Sequence, residues 1–124
     1  MRIAIFIAAI VAVSFAMAES PSEDRLKHRI ATAEFNYRQC LASRASDHYT
    51  SDAAPADIAN MASADCLEDL SVLSDVADEV SPHLTGGEGP GADFYSSYRV
   101  TRAFEMAYLE TLKQIIERRL AEYR

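Results

Sequence analysis

The sequence predicts an all-α fold, a small up-down-up three-helix bundle with one intramolecular disulfide, and three observations carry that expectation. Apolar residues recur at helical spacing in three segments, and no segment alternates with period two for long enough to be a strand. The two connections between these segments are short, which makes consecutive helices antiparallel neighbours. Two cysteines, Cys40 and Cys66, remain in a chain expected to be exported, where thiols tend to be paired.

The export expectation comes from the first residues. Met1-Arg2 supplies one positive charge, Ile3 to Val13 form an unbroken apolar run, and Ala16-Met17-Ala18 place small residues where a signal peptidase cuts. The run from Ile3 to Met17 is interrupted by Ser14 and falls short of the roughly 20 residues that span a bilayer. Residues 1–18 are therefore expected to be a secretion signal, and 19–124 a single helical domain, periplasmic or secreted and free of the membrane once the signal is removed. A chain of this size excludes a multidomain enzyme and a doubly wound sheet with its own cofactor domain.

For the first helix, Ser20 is the expected N-cap, Pro21 the first helical residue and Glu23 the capping-box partner. Leu26, Ile30, Ala33, Tyr37, Cys40 and Leu41 then share a face, and apolar support fades between Ser46 and Thr50. Pro55 opens the expected second helix, with Ile58, Ala62, Cys66, Leu70, Leu73, Ala77 and Val80 as its stripe and Ser81-Pro82 as its stop. All four glycines fall between Gly86 and Gly91, a stretch expected to hold no regular structure. Asp93 is the expected cap of the third and longest helix, whose inward stripe reads as Phe94, Tyr98, Thr101, Tyr108, Leu109, Leu112, Ile115, Ile116, Leu120 and Tyr123. A Cys40–Cys66 bridge would link the first two helices at similar height across their hairpin. In the chain-entropy account, closing that loop stabilises the fold by roughly 3.5 kcal/mol.

Recognisable chemistry is scarce. His28, His48 and His83 are isolated, with no metal-ligand spacing and no acidic partner at the spacing of a catalytic base. No phosphate-binding loop, dinucleotide fingerprint or nucleophile elbow occurs, so neither a metal nor a cofactor is expected. Glu105 projects from within the apolar stripe of the third helix, and Arg102, three residues back, is its expected partner. Phe35 points away from the stripe of the first helix, flanked by Ala31 and Ala42, and reads as a partner contact.

Charge distribution is the most informative feature. From Ala45 to Ser97 there are 11 acidic residues and no Lys or Arg, within a chain of net charge −7. Asp57, Glu68, Asp75 and Glu79 line one side of the expected second helix, with Asp65 and Asp69 at its margin. Such an excess argues against nucleic acid or an anionic membrane as partner. Arginines on the flanking helices offer one form of compensation and a basic partner protein another. Crowded carboxylates should also raise one another's pKa, so stability near pH 5 is expected to match that at pH 7.5 or exceed it. The sequence thus points to a non-enzymatic exported protein that binds a basic protein through Asp57, Glu68, Asp75 and Glu79, with Phe35 as the apolar contact. An acid-stress or holding chaperone is the alternative, and a small enzyme the third reading.

Overall fold

The computed structural model describes residues 22–124, and among them the protein is all-helical with one disulfide. Four helices are present: α1 (Glu23–His48), α2 (Pro55–Asp65), α3 (Leu67–Thr85) and α4 (Pro90–Glu122). The expected signal and the expected Ser20-Pro21 start lie outside the described residues. Ser22 is the residue that caps α1. Its backbone is extended, at φ −66° and ψ 149°, and its hydroxyl accepts the Arg25 N–H at 3.2 Å.

The expected second helix is two helices. Cys66, at φ −105° and ψ 16°, steps out of helical geometry, and its N–H closes a tightened turn on the Ser63 carbonyl at 3.2 Å. The interruption falls where the chain is bonded to α1: the Cys40–Cys66 disulfide is formed, with Cα atoms 6.0 Å apart. Ser81-Pro82 does not stop the helix either. Pro82 removes only the hydrogen bond its own N–H would have made, in the last turn of α3, where that loss is smallest. The Ser81 and Thr85 hydroxyls add donors to the Ala77 and Ser81 carbonyls in this turn. Gly86, in the left-handed region at φ 88°, ends α3, and the Gly87 N–H reaches back to the Pro82 carbonyl at 2.8 Å.

The glycine segment is also more ordered than expected, because α4 starts within it. Gly89 is the N-cap, at φ 137°, and Pro90 with its fixed φ opens the first turn. Asp93 lies inside that turn, its N–H donating to the Gly89 carbonyl at 3.1 Å, and so does not cap.

Three clusters form the core. Leu26, Ile30 and Ala33 of α1 meet Leu73, Ala77 and Val80 of α3 at one end. Ala45 of α1, Ile58, Ala59 and Ala62 of α2, and Ile115 of α4 meet at the other. Tyr37, Leu41, Cys66 and Ala107 fill the middle, beside the disulfide. The stripe expected for α1 is the buried one. That expected for α4 is buried only in part: Ile115 is buried and Tyr108 and Leu112 pack against the core, but Phe94, Tyr98, Leu109, Ile116, Leu120 and Tyr123 are exposed, and Ala92, Ser96, Ala107 and Thr111 are buried in their stead. Small residues let the α4 backbone approach α1 and α3 closely, and the large ones are left on the side facing away.

Candidate functional site

The break at Cys66 divides the expected acidic side between two helices. Asp57 stands in the first turn of α2, while Glu68, Asp75 and Glu79 stand on α3. The structure therefore does not align all four on one continuous helix. All four are exposed. Val72, 50% exposed, lies among the α3 acids by helical position.

Compensation by flanking arginines is local. Arg29 of α1 reaches α3 and grips Glu79 with both terminal nitrogens, at 3.1 and 2.8 Å. That guanidinium, through its hydrogen bonds and then its charge, holds the Glu79 carboxyl below its ordinary value, opposite to the rise expected from crowding. Asp65 pairs with His48 at 2.6 Å, tying the last turn of α2 to that of α1. Asp47 meets Arg44 at 3.5 Å within α1. Among the described residues, Asp57, Glu68, Asp69 and Asp75 make no ion pair.

The other arginines are committed elsewhere. Arg119 donates to the Thr50 carbonyl at 2.9 Å and to that of Ala53, and Arg118 lies 3.8 Å over the Tyr49 ring. Together they clamp the α1–α2 loop to the end of α4. Arg99 binds Glu34 of α1 at 2.6 Å; burial weighs against the guanidinium's charge, and the Glu34 carboxylate outweighs it. This pair sits in an open groove of about 570 Å³ between α1 and α4, which Arg38, Arg102 and Met106 also line.

Phe35 is 49% exposed, and Arg38 lies 5.6 Å above its ring. Because Arg38 also lines the α1–α4 groove, Phe35 belongs to that cationic side of α1, and no contact joins it to the α3 acids. Glu105 is exposed on the outer side of α4 and, among the described residues, makes no ion pair, with Arg102 or otherwise. Near the disulfide, the Tyr37 and Ser63 hydroxyls are buried, and neither meets hydrogen-bond geometry with any protein atom. Burial pushes the Tyr37 phenol up, with the nearby Ser63 hydroxyl pulling the other way. Among the described residues no three His, Cys, Asp or Glu side chains gather as metal ligands, and no helix is long and apolar enough to cross a membrane.

Sequence reasoning missed the outer face of α4. The signal was present in the pattern: Ala92, Ser96, Val100, Ala103, Ala107 and Thr111 also recur at helical spacing, on the side opposite the large residues. No protein-family model, curated protein or solved structure matches the chain.

Proposed function

We propose that the protein is an exported, non-enzymatic binding protein whose acidic α3 surface engages a basic partner protein. The proposal includes residues 1–18 as its secretion signal and treats α2 and α3 as one broken rod, so that the chain runs up, down and up. The disulfide is compatible with an oxidising compartment.

One observation carries this reading. Glu68 and Asp75 stand exposed and Asp69 half-buried on one helix, none of them in an ion pair among the described residues, inside a 53-residue stretch lacking Lys and Arg. A surface evolved only for solubility intersperses the two signs. Uncompensated carboxylates steer a cationic partner from a distance, and the apolar Val72 among them slows its departure, whereas Phe35 lies on the other side of α1.

Binding kinetics against proteins captured from the extracellular or periplasmic fraction test it. Changing Glu68→Gln and Asp75→Asn together should slow association, and added salt should reproduce the change. Glu79→Gln, which removes a charge already matched by Arg29, should slow it less. Equal capture by native and neutralised protein at low salt would show that the α3 acids are a solvated face only. A holding chaperone is the second reading, favoured by the exposed apolar residues of α4. Suppression of the aggregation of a reduced, unfolding client at substoichiometric salt-insensitive doses would support it instead.

A further inference from the structure

The outer face of α4 calls for an explanation independent of the acidic surface. Phe94 is 74% exposed, Leu109 60% and Tyr123 80%, with Tyr98, Ile116 and Leu120 between them. Intervals of 4, 11, 7, 4 and 3 residues, each close to a whole number of turns, place these side chains on one side of the 33-residue helix, with Arg102 and Glu105 in the gap between Tyr98 and Leu109. Taking these side chains at about 200 Å² each, their exposed parts sum to roughly 700 Å², approaching the roughly 800 Å² per partner of a standard interface. Isolated apolar residues on a surface are ordinary, but six large ones aligned on one side of a helix are not.

The charges set along that stripe indicate what covers it. Read from the N-terminal end they are Arg102, Glu105, Lys113 and Glu117, alternating plus, minus, plus, minus. Glu105 and Lys113 lie four residues either side of Leu109, while Arg102 and Glu117 lie seven and eight away. Reversal of the helix therefore sets each charge against its opposite: Glu105 faces Lys113, and Arg102 faces Glu117. A parallel copy would set like on like. The same reversal brings Tyr98 opposite Leu120 and Phe94 opposite Tyr123. Among the described residues nothing competes strongly for these charges: Lys113 and Glu117 stand 3.9 Å apart and well exposed, and Arg102 and Glu105 have no ion pair.

We propose that the outer face of α4 binds a second copy of this chain, antiparallel, with the two-fold axis passing at Leu109. Such a contact is isologous and closes at two subunits. It leaves the acidic surface of α3 outside the contact, so the dimer would present that surface twice.

The test is sedimentation velocity across a concentration series, on protein expressed with its own N-terminus and purified as the cell processes it. A reversible dimer with a dissociation constant on the order of micromolar is expected, as for a standard-sized interface without deep pockets. Leu109→Glu should weaken it by about a hundredfold while leaving the circular dichroism unchanged, because burying two facing carboxylates at the axis costs the dimer alone. Glu105→Lys alone and Lys113→Glu alone should each weaken it by about tenfold, and the two together should restore the native constant to within about threefold. A monomer throughout the series overturns the proposal, as does a dimer indifferent to Leu109→Glu. A double swap no better than either single swap overturns the antiparallel arrangement. Flotation of a monomer with phosphatidylcholine–phosphatidylglycerol vesicles would assign the stripe to a lipid surface, and would overturn it too.

Discussion

Helices α1 and α4 pack against each other, yet they distribute their apolar residues in opposite ways. In α1 the large side chains go inward: Leu26, Ile30, Tyr37 and Leu41 are buried, and Phe35 is the one exposed aromatic among its described neighbours on that helix's outer side. In α4 the inward positions hold Ala92, Ser96, Ala107 and Thr111, with Ile115 the one large apolar residue fully buried, and Phe94, Leu109 and Leu120 face solvent. One helix uses its hydrophobicity to build the core. The other gives the core mostly small side chains, Ile115 apart, and leaves most of its large apolar residues exposed. Hydrophobic periodicity locates a helix, therefore, but the larger stripe need not be the one that faces the chain's own core.

A second difference is covalent: α1 is bonded to the α2–α3 junction, and α4 is held by packing and polar contacts alone. Removing that difference should produce the largest effect. Cys40→Ser with Cys66→Ser should lower stability by about 3.5 kcal/mol in denaturant melts, since the closed loop spans a sequence separation of 26. An oxidised and a reduced native protein of equal stability would show that packing alone fixes α1.

The inward face of α4 should be intolerant of size. Ala107, 2% exposed against Tyr37 and Leu41, should lose about 1–3 kcal/mol as Ala107→Leu by overpacking. Leu109→Ala, on the outward face, should change monomer stability by no more than about 0.5 kcal/mol. Chemical melts at low protein concentration read both. A larger loss at Leu109 than at Ala107 would reverse the assignment of faces.

Tyr37 sharpens the comparison from the α1 side, where a large residue has been buried at a polar cost. Its hydroxyl has no protein partner, so Tyr37→Phe should be neutral or stabilising by up to about 1 kcal/mol. A clear destabilisation would mean the hydroxyl is satisfied after all.

The smallest effect concerns acid. Glu79 has a carboxyl held below its ordinary value of 4.5, by the Arg29 hydrogen bonds first and the Arg29 charge second. A group lowered on folding stabilises above its unfolded pKa, and that contribution disappears as pH falls through the folded value. Native protein should thus lose its advantage over Glu79→Gln as pH falls through the lowered value of the folded state, and the two should converge below it. Because the pair is exposed, the difference should shrink in high salt. Parallel pH profiles for the two proteins would remove the Arg29–Glu79 pair from the stability of the α1–α3 contact.

Much of the fold was legible in the sequence where large residues and covalent chemistry decide it. The α1 stripe, the Cys40–Cys66 pairing and the beginning of α2 at Pro55 follow from period, cysteine number and proline position. Local backbone geometry was less legible. Cys66 bends out of the helix in a way no residue type announces, Pro82 is tolerated because it falls in a last turn, and Gly89 caps α4 ahead of the better-known capping residue Asp93. For the candidate surface, the run of uncompensated acids was visible as a charge pattern, but not the Arg29–Glu79 pair, which joins residues fifty positions apart. The outer face of α4 was read as core because alanine, serine and threonine carry little weight in a hydrophobic pattern. In a tight helix contact their small size is what matters.

The short helix α2 has consequences for the order in which the molecule can be assembled. Eleven residues with no side-chain cap at Ala54 are too few to remain helical alone, and both ends of α2 depend on distant parts of the chain. Its far end adjoins the bridge from Cys66 to α1, and the loop before it rests on Arg118 and Arg119, a few residues from the end of the chain. During synthesis α1 and α3 are available to each other well before those arginines emerge. The start of α2 therefore acquires its anchor only when the last turns of α4 are in place, and the formation of α4, rather than pairing of the first helices, becomes the event that finishes this end of the molecule.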